Sequence, residues 1–401
     1  MHPKILVSLL ALCACFSPMS AVAQTSSFQF LEKAGPYLVG LKVVNPYDHS
    51  RIFPSSPGKS SARMGRRPLQ TLVWYPASGS HGKPMTVGGY ADLAATEISF
   101  DVPGRDNKWA SMLAASSGIT LWAMPDAPLA KGRFPVVIYA PSQSSVSWEN
   151  ADLCEYLASH GYVVLASPSL GASTRDMDDD LNDVDAQAKD ISFLISYART
   201  LPDTDLSEVA VAGWSWGGIS NLFAAARDRR IDALVALDGS MRYYPGLVKK
   251  AGDVHPGRMI LPLLFFTQGE ITLEDIDRAY SADNFGPSVL NAWTHGDLLT
   301  VHMLGMAHPE FSSMFQRKES AKRFTENQKA DYGRDDANTG YGWVARYTVN
   351  FLDAYLKHDD VAMGFLKKTP AENGVPRHFM ATSFRPALRA SPSGSGVAAN
   401  P

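Results

Sequence analysis

The residues whose types and spacing suit covalent chemistry begin with a serine between two tryptophans, in Gly213-Trp214-Ser215-Trp216-Gly217. The apolar run "EVAVAGW" leads into it and "SNLFAAARD" follows. The first reads as a strand and the second as a helix, so G-x-S-x-G falls at a strand-to-helix turn, the setting of a nucleophile elbow. Such a turn is sharp and strained, and glycines let neighbouring chain pass close to it. G-x-S-x-G also occurs in ordinary glycine-rich turns; the flanking strand and helix favour the elbow. The tryptophans can be large because alternate residues point away from the serine. Trp214 is a candidate wall of an apolar pocket. The backbone N–H of Trp216, at the helix start, can face a developing oxyanion.

A serine hydroxyl needs a base to become a nucleophile, and the base needs an orienting acid. With this kind of elbow the chain order is Ser, then Asp or Glu, then His. Six histidines follow Ser215: His255, His295, His302, His308, His358 and His378. His308, in "HMLGMAHPEFSS", lies just beyond the last apolar run, "DLLTVHML", in a loop at the carboxyl edge of the expected sheet. His302 lies inside that run and is expected to be packed. His295 precedes it and belongs at the opposite edge. His255 is in a Pro-rich insertion, and His358 and His378 lie at or beyond the final helix. Two acids compete. Asp238 ends "IDALVALDG", where Gly239 suits a tight turn, and Glu270 ends "LPLLFFTQGE". A carboxylate closing a fully apolar strand is costly to bury without a partner.

The elements that must position these groups follow from the hydrophobic pattern. "FPVVIYA", "GYVVLASPS", "EVAVAGW", "IDALVALDG", "LPLLFFTQG" and "DLLTVHMLG" are short, continuously apolar and β-rich. They alternate with helical patterns: Trp148 to His160, "DVDAQAKDISFLISYARTLP", "SNLFAAARD" and "GYGWVARYTVNFLDAYLKHD". That alternation predicts an α/β fold, a mostly parallel sheet with helices on both faces. Ahead of it, "GPYLVGLKVVNPY" and "RRPLQTLVWYPAS" read as an antiparallel strand pair, with "DHSRIFPSSPGKSSARMG" as a polar loop between them. Tyr90 to Gly118 is expected to form short helices outside the main sheet. The acidic run Asp176 to Asp185 alternates like a calcium loop. Leu181 stands where such a loop needs glycine, and no glutamate closes it. Acids before a helix also favour its N-terminus, so no metal is expected there.

With 401 residues, net charge −3, 45% hydrophobic and 19% charged residues, the composition is that of an ordinary globular chain. It carries no basic footprint for nucleic acid, and no internal apolar run is long enough for a transmembrane span. "MHPKILVSLLALCACFSPMSAVAQ" reads as a secretory signal peptide with cleavage after Ala23, which places the product in the periplasm or outside the cell. Leu12-Cys13-Ala14-Cys15 loosely resembles a lipoprotein box, the alternative processing. Of three cysteines, two lie in this leader. Cys154 remains, on an expected helix, as a small buried apolar side chain. The organisation is thus a signal peptide over 1–23, one domain over 24–386 with insertions near 84–130 and 241–296, and a disordered tail over 387–401.

Together these segments resemble the α/β-hydrolase superfamily, and within it the platelet-activating-factor acetylhydrolase and dienelactone-hydrolase-like branch. The resemblance runs through "GPYLVG", "LVWYPA", "FPVVIYAPSQ", "LASHGYVVLA", "GWSWGG", "VALDGS", "PLLFFTQGE" and "MAHPEF". It implies the α/β-hydrolase fold and a triad of Ser215, Asp238 and His308. Asp238 matches the acetylhydrolase acid, and His308 with Phe311 matches its histidine. Glu270 occupies the position that many other members use. The resemblance also implies a second oxyanion N–H at Gln143, although the loop reads Pro141-Ser142 where the family has His-Gly. "GWSWGG" is locally similar to cutinase-like polyester hydrolases as well. The activity implied is cofactor-free hydrolysis of small-molecule carboxylic esters with short or medium acyl groups. The alternatives are hydrolysis of a lactone, peptide, thioester or polyester, acyl transfer to an alcohol, or a catalytically dead binding module.

Overall fold

The computed structural model describes residues 28–54, 64–80, 82–100, 108–269, 288–318 and 332–388. Strand β6 (Phe134–Ala140) shows how the centre is built: every one of its residues is buried. Val137 and Tyr139 enter one apolar cluster, while Val136, Ile138 and Ala140 enter the other. A strand with side chains alternating between two covered faces must be apolar throughout, which is why its sequence has no polar period. Helix α3 (Ala151–Ser159) and the long helix Arg334–Leu356 supply the first cluster. Helices α4 (Leu181–Ala198) and α5 (Trp216–Arg227) supply the second.

The main sheet has ten strands in the order β12-β11-β10-β9-β8-β6-β7-β4-β1-β5. Six consecutive strands are parallel: β7 (Val163–Ala166), β6, β8 (Thr204–Trp214), β9 (Ala233–Leu237), β10 (Leu263–Gln268) and β11 (Leu298–Met303). Antiparallel β1 (Leu38–Val44) and β4 (Thr71–Ala77) extend one side, with the two-residue β5 (Met124–Pro125) beyond them. Antiparallel β12 (Met380–Arg385) closes the other side. β7 and β8 lie on opposite sides of β6. The sheet order therefore reverses there, and the carboxyl ends beside such a reversal are the usual ligand position in sheets of this kind.

The antiparallel N-terminal pair, the parallel centre and the helical faces match the sequence expectation, and short helices α1 (Val87–Leu93) and α2 (Lys108–Met112) lie outside the sheet. Several expectations are corrected. The stretch read as a polar loop, residues 48–65, contributes to a second sheet: β2 (Tyr47–Pro54) pairs antiparallel with β3 (Met64–Pro68). Long-range contacts override its turn-rich composition. Phe53 is buried, and the equally buried Arg67 pairs with Asp190 of α4 at 2.6 Å while donating to the carbonyls of Leu170 and Gly171. His302 is exposed rather than packed, because the face carrying Leu298, Thr300 and His302 grades from buried to solvent along β11. The span 241–296 is not one insertion, since β10 of the core sheet lies within it. Ala387 and Leu388, expected in a disordered tail, are held instead: their N–H groups donate to Asp297 and Thr294. The expected signal peptide over 1–23 and residues 389–401 lie outside the described residues. Helix Asp360–Lys367 and β12 had no counterpart in the sequence reading.

The acidic run is occupied by structural work. Asp180 caps α4 by accepting from the Asp183 N–H at 3.0 Å, and Asp183 accepts from the N–H groups of Ala172 and Asp178. Cys154 is buried in α3.

Candidate active site

β8 ends at Trp214 and α5 begins at Trp216, so a single residue makes the turn between them. That residue, Ser215, has φ 53° and ψ −117°, a conformation that side chains other than glycine rarely adopt. The neighbouring glycines are sterically required. A Cβ on Gly217 would lie 2.0 Å from the Ala140 carbonyl oxygen, and one on Gly213 2.7 Å from the same atom. The end of β6 therefore presses directly on the turn. Backbone bonds hold it: the Ser215 N–H donates to Leu237 at 3.1 Å, and its carbonyl accepts from Ser240 at 2.7 Å and Gly218 at 3.0 Å.

Sheet register brings the other groups to the same edge. Trp214 pairs with Leu237, and Leu237 with Phe266, so Ser215 and Asp238 each stand one residue past a paired strand end. β11 ends at Met303, and His308 follows in the loop beyond it. His308 Nε2 lies 2.9 Å from Ser215 Oγ, and its Nδ1 lies 2.6 Å from Asp238 Oδ2. A carboxylate on Nδ1 favours the tautomer that carries its proton there, which leaves Nε2 free to accept from the serine hydroxyl. Asp238 is fully buried, whereas the His308 side chain is 32% exposed, so the imidazole is reachable from solvent and the carboxylate is not. The competing acid, Glu270, lies outside the described residues.

Three supporting side chains were not found from the sequence. Asp238 Oδ1 accepts from Tyr243 Oη at 2.7 Å and from the Gln268 N–H at 3.4 Å. The Gln268 side chain donates to Tyr243 Oη at 3.0 Å and accepts from the His308 N–H at 3.2 Å. Burial, and then the Asp238 charge, push the Tyr243 phenol up from its ordinary value, so it stays a hydrogen-bond donor. Nothing in their local sequence marks Tyr243 or Gln268, whose partners lie 5 to 40 residues away. The third is Glu149, which nothing in the serine-rich segment ahead of α3 marks. It is fully buried, and burial pushes its carboxyl up to about 7.

Trp214, the candidate pocket wall, is 4% exposed. Its indole N–H donates to the His308 carbonyl at 3.0 Å, and its ring packs against His308 and Phe315 with centroids 5.0 and 5.1 Å away. It thus braces His308. Trp216 places its N–H in the first turn of α5, where helical N–H groups lack an intrahelical acceptor. Ala140 pairs with Gly213, so Gln143 and Trp216 each stand three residues beyond one paired position. Neither backbone N–H has an acceptor among the described residues. The Gln143 side chain turns aside and donates to the Met177 carbonyl at 3.1 Å and to Asp179. The arrangement supplies a hydroxyl, an oriented imidazole and two unpaired backbone donors on one strand edge, the equipment of acyl transfer through a covalent serine intermediate.

The ten-stranded sheet, the elbow serine and the strand-end acid define the α/β-hydrolase fold. A family model described as Chlorophyllase matches residues 114–240, which hold β6, α3, β7, α4, β8, the elbow and Asp238. Among solved structures, a ferulic acid esterase from Streptomyces cinnamoneus is similar with a TM-score of 0.61 and 20% identity, covering 90% of this chain and 99% of its own. No curated protein sequence matches. The matching family model is thus a different one from the acetylhydrolase and dienelactone-hydrolase branch that the sequence resembles.

Proposed function

We propose that this protein is an exported serine hydrolase that cleaves carboxylic esters through an acyl-enzyme. The observation that carries this reading is the unbroken chain from Ser215 Oγ through the His308 imidazole to Asp238, with bonds of 2.9 and 2.6 Å. The similarity to a structure titled as an esterase supports the choice of ester as the bond cleaved. Ser215 Oγ attacks the acyl carbon as its proton passes to His308 Nε2. The tetrahedral oxyanion takes the N–H groups of Trp216 and Gln143. The bond to the alcohol then breaks, and Nε2 returns the proton to the departing oxygen. Water attacks the acyl-serine, gives its proton to Nε2, and Ser215 recovers it as the acid leaves. Asp238, bonded to Nδ1, stabilises the imidazolium.

The expected substrates are esters with short or medium acyl groups. Turnover of p-nitrophenyl esters of rising acyl length, with methyl ferulate alongside, tests the class. A rate that climbs toward long, emulsified chains makes the protein a lipase instead. Added alcohol as a competing acceptor tests acyl transfer. The Ser215→Ala variant tests the chemistry itself: it should lose ester hydrolysis and fluorophosphonate labelling while keeping its melting temperature. Substantial turnover by the folded variant overturns the reading.

A further inference from the structure

The loop after β6 is held in a way that the triad does not require. The Glu149 carboxylate accepts from the Ser142 N–H at 3.0 Å, the Ser142 hydroxyl at 2.6 Å and Tyr139 Oη at 2.9 Å. No cation is among these partners. A buried carboxylate with only neutral donors is costly, and an amide or apolar side chain would fill the space at lower cost. What a carboxylate offers is acceptor capacity for several donors at one point.

We infer, on the hydrolase reading above, that Glu149 is a positioning residue: by taking both donors of Ser142 it fixes the loop so that the next backbone N–H, that of Gln143, is the one left for the oxyanion. The rest of the loop agrees with that division. The Pro141 carbonyl accepts from Gln187 at 2.8 Å, the Ser142 carbonyl from Ser145 at 3.2 Å and from Ser169, and the Ser144 and Ser145 carbonyls from Arg175, each at 3.3 Å. Ser144 itself stands at φ 54°. Within this pinned loop, the Gln143 N–H has no acceptor among the described residues.

Glu149 also joins this loop to the segment following His308. Its backbone carbonyl accepts from Ser312 Oγ at 2.9 Å and the Met314 N–H at 3.2 Å. The adjacent Asn150 side chain donates to Tyr139 Oη and to the Phe311 carbonyl, each at 2.8 Å, and accepts from the Ser313 N–H at 2.8 Å. One short buried segment thus sets the oxyanion donor and the base relative to each other.

The test is Glu149→Gln in the full mature enzyme. The amide keeps the shape but offers one acceptor oxygen and turns an NH2 toward donors. The expected result is a kcat lower by about one to two orders of magnitude, approaching the loss of one oxyanion donor, with KM within about twofold. A trifluoromethyl ketone, which forms a tetrahedral oxyanion adduct on serine, should lose affinity by the same factor as kcat/KM. The non-hydrolysable amide analogue of the substrate should bind as before. If Glu149→Gln does not fold cooperatively, Ser142→Ala decides: it removes one donor to Glu149 and should lower kcat and trifluoromethyl ketone affinity together, with KM unchanged. Unchanged kcat and ketone affinity in the folded Glu149→Gln variant, or in Ser142→Ala where that variant alone folds, overturn the inference. So does a loss shared equally by the amide analogue. A parent protein that hydrolyses no ester and takes no fluorophosphonate at Ser215 overturns the hydrolase reading instead, so the two failures are distinct.

Discussion

At the scale of single residues, the proposed triad makes Asp238 the first residue to test after the serine. It is fully buried, one oxygen meets His308, and the other meets Tyr243 and Gln268. Asp238→Asn should keep the geometry but favour the wrong imidazole tautomer; the same change in a serine protease costs roughly four orders of magnitude in turnover. Glu270→Gln should stay within a few-fold of the parent, and steady-state kinetics on both variants decide the assignment. A healthy Asp238→Asn beside a crippled Glu270→Gln would reverse it. Tyr243→Phe removes the shorter of the two bonds to Oδ1 and should lower kcat by about tenfold, the worth of a hydrogen bond to a charged group, with little change in KM. An unchanged kcat would make Tyr243 a packing residue only. His308→Ala should stay folded and lose ester hydrolysis, and substantial turnover by that variant would remove the imidazole from the reaction. That Ser215, Asp238 and His308 meet at one sheet edge was legible, because each ends a readable strand or follows one. Tyr243, Gln268 and Glu149 were not legible, because their value lies in contacts that only the folded sheet brings together.

At the scale of elements, helix α3 and the N-terminal hairpin carry opposite lessons. Two buried glutamates lie at this helix, Glu149 just before its first turn and Glu155 within it. Burial raises Glu149 to about 7, and burial raises Glu155 to about 8, where it accepts from Tyr90 and the Trp122 N–H, each at 2.6 Å. Both values exceed the ordinary 4.5, so the folded state keeps protons that the unfolded chain has already released. Their contribution to stability is therefore whole at acid pH and is lost as pH rises from about 4.5 toward about 8. Urea midpoints should fall across that window, and the slope should flatten in Glu155→Gln; an equally steep slope in that variant would count against the assignment. The hairpin β2–β3 was read as a loop because serine, proline and glycine dominate its sequence. It exists because Arg67, buried, meets Asp190 at 2.6 and 2.7 Å. Removing one partner of a buried pair costs about 3–5 kcal/mol, and Arg67→Met should fall at the low end, since Arg51 still reaches Asp190 at 2.5 Å. A loss under about 1 kcal/mol by urea unfolding would place the pair among weak surface bridges.

At the scale of the whole molecule, the parallel centre was legible because strands covered on both faces must be apolar at every position, as β6 is. The edges were harder. β12 reads "MATSFR", with no clean apolar run, and its partner β11 lies about eighty residues back in the chain. No short-range pattern announces such a pairing. Export is likewise a whole-chain proposal resting on the leader: intact mass of the protein recovered from the periplasm should begin at Gln24, and a chain that retains Met1 would refute it.

One buried atom makes the molecule its own stopwatch. Cys154 has no exposed surface, and its burial raises the thiol well above its ordinary value. A chain trimmed after Ala23 would keep this thiol alone, because the other two cysteines depart with the leader. A thiol reagent added to the native protein would then wait for α3 to open, and the colour it develops would time that opening one molecule at a time. Full denaturation should release one equivalent; three would count an uncut leader. Since α3 begins just after the residue that grips Ser142, the same clock run with and without a bound trifluoromethyl ketone reads how much occupancy of the cleft slows the breathing of the helix behind it.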